Sequence, residues 1–410
     1  MMEWKEVLFE DIIEEISMGP FGSDIKRDCY CEEGLPYLNG SNVQNFKLGE
    51  ESFIYVPWEK AEKLKKSVAH RGDVIITHRG TLGQVVYIPT DSIYPKYLIS
   101  NSQFRVKFDS SKVRADYITY YLHTRDGNHK IMANASQVGV PALGRPTTTF
   151  KQIKAPIPPL EYQNCVMDIL SSLDKKIETN NKINANLEEM AQAIFKNWFV
   201  DFAPFKDGKF VESELGMIPE GWRVGTLSEV ADIKKKSITP NKTPDSYFNH
   251  YSLPAFDVNK LPVYQLGSEI MSSKFIFGSR TTLISKLNPH IKRIWFVDNV
   301  MENGICSTEF IPIKAKDEEI AAYIHFLICS NIFYNTICSS VNGATNSHQR
   351  INPEDILEYK IALNEETISR YSKFAYPILK KISKNITENA HLASIRDTLL
   401  PRLMSGEIEV

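Results

Sequence analysis

Apolar residues recur at alternating spacings of three and four along two long segments, residues 160–200 and 365–405. This spacing is the seam of a coiled coil and predicts two long helices. Two asparagines lie in each seam, where each lowers stability unless it meets a partner, so paired asparagines would fix the register between the helices. The predicted seam residues are Leu173, Ile177, Asn180, Asn184, Leu187, Ile378, Ile382, Asn385, Asn389 and Leu392. The alternative is that each helix packs only on its own domain.

Shorter apolar segments, bounded by glycine and proline, predict strands before each long helix: "GDVIITHRG", "GQVVYIP", "RTTLISK" and "KRIWFVD". The two halves also repeat each other with a period of about 205 residues. The segment "ADYITYYL" from Ala115 returns as "AAYIHFLI" from Ala321, and each follows a phenylalanine, Phe104 and Phe310. Several segments that share one period and one order indicate an internal repeat.

The link between the two halves indicates how the long helices run. A helix of about forty residues is roughly 60 Å long. An antiparallel pair lets the second domain begin and end at the same end of the bundle, which is the simpler connection. The predicted fold is therefore α+β, with two mixed α/β domains separated by an antiparallel coiled coil of two long helices and related by an internal pseudo-two-fold repeat.

Composition and charge narrow the class of protein. The net charge of −2 argues against indiscriminate coating of nucleic acid, although "EKAEKLKKSVAHRGD" and "DIKKKSITPNK" are local basic clusters. Each cluster is equally compatible with a solvated face. Six cysteines without a CxxC pair favour buried reduced thiols over disulfides or zinc. No apolar run approaches a membrane span and the start is no signal peptide, so we expect a cytoplasmic protein without a membrane.

The usual catalytic motifs are absent from the sequence. It has no GxG nucleotide loop, no GxxxxGK[ST] phosphate loop and no HExxH, and none of its nine histidines pairs with a cysteine or carboxylate at ligand spacing. We therefore predict no active site and no metal site. A repeated protein of this kind suits split DNA sites, because symmetric readers bind half-sites about one helical turn apart. Two divergent heads would read two different half-sites.

Six segments resemble, in the same order, the specificity subunit of type I restriction–modification enzymes: "GPFGSDIK", "GVPALGR…IPPLEYQ", "IFKNWFVDF", "LGMIPEGWRVGTLSEV", "GATNSHQRINPEDI" and "LLPRLMSGEI". The resemblance covers nearly the whole chain, and the helix tails and the "IPEGW" segment are its most specific parts. Departures such as Tyr162 in "IPPLEYQ" and "IALNEE" in the second half concern helix entry. The resemblance implies target-recognition domain 1 at 1–155, a central conserved helical region at 156–202, a linker with target-recognition domain 2 at 203–362, and a distal conserved helical region at 363–410.

The resemblance also implies partners and cofactors. The two domains would bind double-stranded DNA, and the helices would hold two methyltransferase subunits, which restriction or translocase subunits join. S-adenosylmethionine, ATP and magnesium would belong to those subunits, so we expect no cofactor in this chain. It would be a non-catalytic subunit that directs DNA methylation and host defence to an asymmetric bipartite site.

The candidate DNA-binding residues fall into four groups. In the "GPFGS" loop, backbone amides and Ser23 would lie near a phosphate, although a purely structural turn explains Gly19 equally well. Side chains with donor–acceptor edges suit base reading, lysines suit phosphates, and small residues in "SQVGVPALG" and "SSVNGATNS" permit close backbone approach. The loop group is Gly19, Phe21, Gly22, Ser23, Lys26 and Arg27; the base group is Asn39, Asn42, His78, Arg79, Lys286, Asn288, His290 and Arg293; the phosphate group is Lys65, Lys66, Lys234, Lys235 and Lys236; the paired-loop group is Gly139, Gly343 and Thr345.

Two other classes of function stay open on the sequence. A nuclease or fused methyltransferase would show turnover of the isolated chain that depends on magnesium or S-adenosylmethionine. A structural adaptor whose heads bind protein would keep its affinity at high salt, whereas DNA binding through several phosphates falls steeply with salt.

Overall fold

The computed structural model describes residues 4–22, 24–136, 139–233, 235–339 and 349–410. The chain forms two compact units: unit one contains the residues up to Lys175 together with Ala393–Val410, and unit two contains Lys176–Leu392. Both units combine sheets, short helices and part of two long helices, which confirms the predicted α+β class. The domain boundaries proposed from the sequence stay predictions.

Unit one contains two four-stranded sheets. Its first sheet has the spatial order Ile13–Met18, Gln103–Phe108, Val74–Thr77, Val85–Tyr87, with antiparallel neighbours throughout. Its second sheet has the order Ile54–Val56, Leu35–Tyr37, Lys96–Leu98, Val68–His70, and its middle pair is parallel. Two small ladders join Glu6–Leu8 to Lys154–Pro156 and Ala135–Ser136 to Ala142–Leu143. The short helices are Trp58–Lys63, Ala115–His123, Arg125–Met132 and Pro146–Lys151.

Unit two repeats this plan. Its first sheet has the order Ala231–Ile233, Phe310–Ala315, Thr281–Ser285, Ile294–Val297. Its second sheet has the order Ser237–Ile238, Lys274–Ile276, Gly304–Ser307, Tyr247–Tyr251, Val263–Leu266, with one parallel pair between the third and fourth strands. Two ladders join Arg223–Thr226 to Lys360–Leu363 and Phe210–Ser213 to Gly216–Pro219. The short helices are Leu227–Val230, Leu253–Asn259, Ala321–Cys329, Asn331–Ser339 and Pro353–Leu357.

The common strand order confirms the internal repeat, but one predicted match is wrong by a residue. Phe104 pairs with Ile76, the penultimate residue of its neighbouring strand, whereas the penultimate residue of the equivalent strand, Ile284, pairs with Ile311. Successive side chains of a strand point to opposite faces, so a shift of one residue changes the face. Ile311 therefore takes the place of Phe104 in the core against the helices, and Phe310 packs on the other face of the sheet.

The two predicted long helices are confirmed as the central helix, Leu160–Phe199, and the distal helix, Glu365–Met404. They run antiparallel in both units. In unit two the Tyr371 hydroxyl donates to the Ala191 carbonyl at 2.9 Å. In unit one the Arg396 guanidinium donates to the Asp174 carboxylate at 2.6 Å.

The seam between the long helices contains paired asparagines. Asn385 Nδ2 donates to Asn184 Oδ1 at 2.7 Å, and Asn180 Nδ2 donates to Asn389 Oδ1 at 2.8 Å. These bonds reduce the cost of burying the amides, since an unpaired buried donor loses its hydration without compensation. Around them Ile378 and Ile382 are buried, while Leu173, Ile177, Leu187 and Leu392 are partly exposed. The contacts give the register of the helices a physical basis.

Within the described ranges, no single helix is both long and apolar enough to cross a membrane. The pair Glu318–Cys329 and Asn331–Ser339, which is bent by 60°, reaches the required length and hydropathy only as a pair. Residues 321–328 of this pair are buried, and they pack in the core of unit two.

Candidate nucleic-acid interface

The Gly-Pro-Phe-Gly loop of unit one is tied to the first sheet at Gly19. Its N–H donates to the carbonyl of Gln103 at 2.9 Å. A Cβ at Gly19 would lie 1.9 Å from the carbonyl oxygen of Ser100, so only glycine fits here. The amide of Gly19 thus belongs to the framework of the loop, in agreement with the structural-turn alternative.

The same loop presents an aromatic ring to solvent. Phe21 is 83% exposed, and its N–H donates to the Asp24 carboxylate at 3.0 Å while the Asp24 N–H donates back to the Phe21 carbonyl at 2.9 Å. Gly22 lies against Asn101, Lys26 and Arg27 are exposed, and Ser23 lies outside the described residues. The Phe21 amide is therefore already bonded, and the ring and the two cations are the groups that can reach a ligand.

A turn at residues 100–103 joins this loop to the other candidate segments. The Gln103 side chain accepts from the Ser100 N–H at 3.0 Å and donates to the Asn39 carbonyl at 3.5 Å. The Ser102 carbonyl accepts from the His78 N–H at 2.8 Å. This turn is not among the elements predicted from the sequence, although small polar residues between two strands, "SNSQ", are the usual signal of one.

The two asparagines predicted to read bases both form hydrogen bonds within unit one, and the prediction for the half-buried Asn39 stays open to test. Asn42 is 3% exposed, and its amide donates to the carbonyls of Gly49 and Ser52 at 3.1 and 3.0 Å while it accepts from the Asn39 N–H. Asn39 Oδ1 accepts from the Ser41 N–H at 2.8 Å and caps a short 3-10 helix. A buried amide with its bonding capacity used cannot reach a base edge, so the prediction for Asn42 is corrected.

His78 and Arg79 mark the end of a first-sheet strand. The His78 carbonyl accepts from the Leu143 N–H at 2.8 Å, and Arg79 forms an isolated bridge with Ala142. Burial lowers the pKa of His78, and its Nε2 has no hydrogen-bond partner among the described residues. Arg79 itself is exposed and forms no ion pair within the described part of the chain. Of this pair, Arg79 is the side chain that is available to a ligand.

The returning loop that covers this strand end includes Gly139. Its φ of 79° lies in the left-handed region, where glycine is favoured. Nearby, the Gly80 N–H donates to the Pro141 carbonyl at 2.9 Å. These contacts bring residues 139–143 beside His78 and Arg79, so the returning loop and the strand end form one continuous surface.

In unit one, the contact of the strand end at His78 and Arg79 with the returning loop at residues 139–143 forms a junction. Unit two forms the equivalent junction with different side chains. The Lys286 carbonyl accepts from the Ile351 N–H at 2.9 Å, and the Lys286 N–H donates to the Glu309 carbonyl at 2.7 Å. Leu287 forms an isolated bridge with Arg350. Gly343 and Thr345, which were predicted to contact DNA, lie outside the described residues, so the junction is defined only by what flanks them.

The other unit-two candidates differ in their availability. Asn288 has a φ of 51° and its N–H donates to the Gln349 carbonyl at 3.1 Å, so it shapes the strand end, while His290 is exposed. Arg293 donates to both carboxylate oxygens of Asp257 at 2.6 and 2.8 Å, and this pairing raises the pKa of Arg293. Asp257 therefore engages one edge of Arg293, and its role as a base reader stays a prediction.

Lysines flank the two surfaces. Lys65 and Lys66 are exposed on the turn Lys65–Ser67, and the Ser67 hydroxyl donates to the Met18 carbonyl at 3.0 Å, directly before the Gly19 loop. Lys235 and Lys236 are exposed in unit two, and Lys234 lies outside the described residues. Within the described ranges, no group of three or more histidine, cysteine or acidic residues is placed to hold a metal.

Part of the chain matches a known protein family. Residues 1–189 match the family described as the Type I restriction modification DNA specificity domain. The MjaIX specificity subunit of a type I restriction enzyme from Methanocaldococcus jannaschii is 25% identical over all of this chain and 94% of its own. The HindI specificity subunit from Haemophilus influenzae is 23% identical, and the match covers both chains completely. Both relatives carry the name of the specificity subunit that the sequence resemblance predicts.

A solved structure shows the same fold. The crystal structure of the type I restriction–modification S subunit from M. genitalium matches 98% of this chain and 96% of that chain with a TM-score of 0.59, at 14% sequence identity. At this identity the match supports the fold.

Proposed function

We propose that the chain is a specificity subunit of a type I restriction–modification enzyme and that it reads an asymmetric bipartite DNA site, one half-site with each unit. Its similarity to proteins named as such subunits supports the proposal. The observation that carries this proposal is the junction that both units build at the end of an equivalent strand. In each, a carbonyl at the strand end, His78 or Lys286, accepts from the N–H of a returning loop, Leu143 or Ile351. One framework presented twice with different side chains is suited to two different half-sites.

The side chains around the two junctions support different readouts. Unit one offers the exposed ring of Phe21 and the cations of Lys26, Arg27 and Arg79. Unit two offers the half-buried Lys286 and the exposed His290 and Arg350. Major-groove edges distinguish all four base pairs through donor and acceptor positions, so different side chains in the same place select different bases.

We propose further that the long helices hold methyltransferase subunits, which a restriction subunit joins. Large apolar side chains are exposed on these helices, notably Ile183, Met190 and Phe374. If these side chains form one contiguous apolar surface, that surface would favour association with another protein. S-adenosylmethionine, ATP and magnesium would then belong to the partner subunits, in the cytoplasm.

The methylome of a methylation-free host that expresses this chain with its neighbouring methyltransferase subunit tests the proposal. We expect a split, asymmetric motif with N6-methyladenine in both halves. Arg79→Ala should relax one half only, and the matched double substitution Lys286→Ala with His290→Ala should relax the other half only. A wild-type complex that assembles but methylates no defined motif would remove the DNA-reading function.

The salt dependence of DNA affinity separates this function from the protein-adaptor alternative. Each neutralised phosphate contributes a slope of about −0.9 in log affinity against log salt. We expect Lys65→Ala with Lys66→Ala to reduce the slope by up to about 2 without changing the motif. Binding that does not depend on salt would instead favour the adaptor.

A further inference from the structure

In each unit, one isolated bridge joins the strand end to the returning loop, and one of its two residues is an arginine. The arginine belongs to the strand end in one unit and to the returning loop in the other. In unit one the pair is Arg79 with Ala142, where the strand end contributes the arginine. In unit two the pair is Leu287 with Arg350, where the returning loop contributes it. The two guanidinium groups thus belong to the same place in the fold although they come from different segments, and no alignment of like positions would match them.

Arg350 is held by an acidic side chain. Its Nε lies 3.3 Å from Glu309 Oε2, and its Nη2 lies 3.1 Å from Glu309 Oε1, a bidentate arrangement along one edge of the guanidinium. Glu309 is fixed in turn, because its carbonyl accepts from the Lys286 N–H at 2.7 Å and its N–H donates to Ser307 Oγ at 3.2 Å. The ion pair therefore rests on the backbone of the junction itself.

The unused edge of Arg350 has a defined chemistry. A guanidinium carries five N–H donors, and the Glu309 carboxylate takes two of them, on Nε and Nη2. The outer edge keeps one N–H on each terminal nitrogen, side by side. The Arg350 side chain remains 52% exposed although it is paired with Glu309. Two parallel donors fit the O6 and N7 acceptors of guanine in the major groove.

We propose that Arg350, oriented by Glu309, reads a guanine in the half-site of unit two; this inference rests on the DNA-reading function proposed above. Arg350 is the specificity-determining residue, and Glu309 is a positioning residue that acts through it. Arg79 is its counterpart in unit one, where no ion pair with a described residue fixes the guanidinium.

A phosphate presents similar acceptors, but the charge at this site favours the base. Glu309 neutralises Arg350, so the pair adds little to the general attraction of the backbone, and its carboxylate repels a phosphate brought close. A cation that only neutralises a phosphate does not need a carboxylate to orient it. Recognition of a base edge, by contrast, depends on the orientation of the guanidinium, which Glu309 supplies. The two sources of acceptors are separable by experiment, since only the base contact changes the motif.

The test compares methylomes and DNA affinities of the full complex with Arg350→Ala, Arg350→Lys and Glu309→Gln. We expect Arg350→Ala to lose roughly 5- to 150-fold discrimination at one G·C pair of the unit-two half-site, with the unit-one half unchanged. Arg350→Lys keeps the charge but lacks the fork, so it should also relax that pair. Glu309→Gln keeps Arg350 but weakens its orientation, so we expect a smaller relaxation at the same pair.

Matched variants define what would overturn the inference. Arg79→Ala should relax a position of the other half-site only, and thermal melts of each variant show that the fold is retained. Uniformly weaker binding with an unchanged motif and a reduced salt slope would make Arg350 a phosphate contact and refute the guanine assignment. An unchanged motif and affinity would refute any DNA role of Arg350, whereas a wild-type complex with no motif would refute the proposed function itself.

Discussion

Units one and two share their strand order and the backbone contacts of their junction, but they stabilise their first sheets by different chemistry. In unit one Arg105 is buried in the sheet and its guanidinium lies 3.3 Å from the buried Asp73, with Glu15 as a second partner. At the equivalent place in unit two, Pro312 stands opposite Leu283, as Arg105 stands opposite Ile75. Both units therefore share the pairing register of these strands, whereas the buried Arg105–Asp73 ion pair belongs to unit one and is not required for the common strand order.

Removal of the buried arginine should have the largest effect and should fall on unit one alone. Arg105→Met leaves Asp73 buried with the His70 N–H as its remaining partner. Leaving one buried charge of a pair uncompensated typically costs about 3–5 kcal/mol. We expect hydrogen exchange, resolved by segment, to show a loss of protection in unit one and none in unit two.

The double variant Arg105→Met with Asp73→Asn provides the control for this prediction. An amide needs no counter-charge, so the double variant should recover part of the lost stability. Equal destabilisation by the single and double variants would show that the arginine acts through packing rather than charge.

Acid should affect unit two through a histidine that unit one replaces with threonine. His325 is buried, and burial lowers its pKa to about 3, with Lys260 and Lys292 adding to the effect. The equivalent residue in the repeated helix is Thr119, whose hydroxyl donates to the Ala115 carbonyl at 2.9 Å. The unfolded chain binds this proton near pH 6.5, so the stability that neutral His325 gives is present above that pH and is lost as pH falls towards 3.

His325→Gln should therefore flatten the decline of unit-two stability below pH 6.5. One proton corresponds to at most about 1.4 kcal/mol per pH unit. The measurement is the pH dependence of unfolding free energy, followed by hydrogen exchange in each unit. His123→Gln is the matched control, because burial also lowers the pKa of His123 in unit one. An unchanged slope in unit two would show that His325 is hydrated or protonated in the folded chain.

Periodicity and repetition predicted the elements, whereas the partners of polar side chains depend on contacts distant in sequence. The long helices, the repeat and the antiparallel seam follow from local spacing, which a single chain reveals. Asn42 and Arg293 have the residue types of base readers. However, Asn42 is buried, and Arg293 is paired with Asp257, which lies 36 residues earlier in the chain. Arg350 was not among the predicted DNA-binding residues, because its proposed role depends on Glu309, which lies 41 residues earlier in the chain. The off-by-one match of Phe104 to Phe310 has the same origin, since register is set by the neighbouring strand.

The smallest expected effect concerns the second bidentate arginine of unit two. The Arg293 side chain is 14% exposed against Asp257, whereas that of Arg350 is 52% exposed against Glu309. If side-chain exposure decides which arginine reads DNA, Arg293→Ala should leave the motif unchanged and the DNA affinity within about twofold. The loss of a partly exposed ion pair typically lowers the free energy of unfolding by about 1 kcal/mol or less and does not itself change DNA binding. Methylome and affinity measurements beside Arg350→Ala check this. Relaxation of a base position by Arg293→Ala would confirm the sequence-based prediction and would mean that DNA binding releases Arg293 from Asp257. Exposure would then not distinguish Arg350 from Arg293 as a reader of DNA.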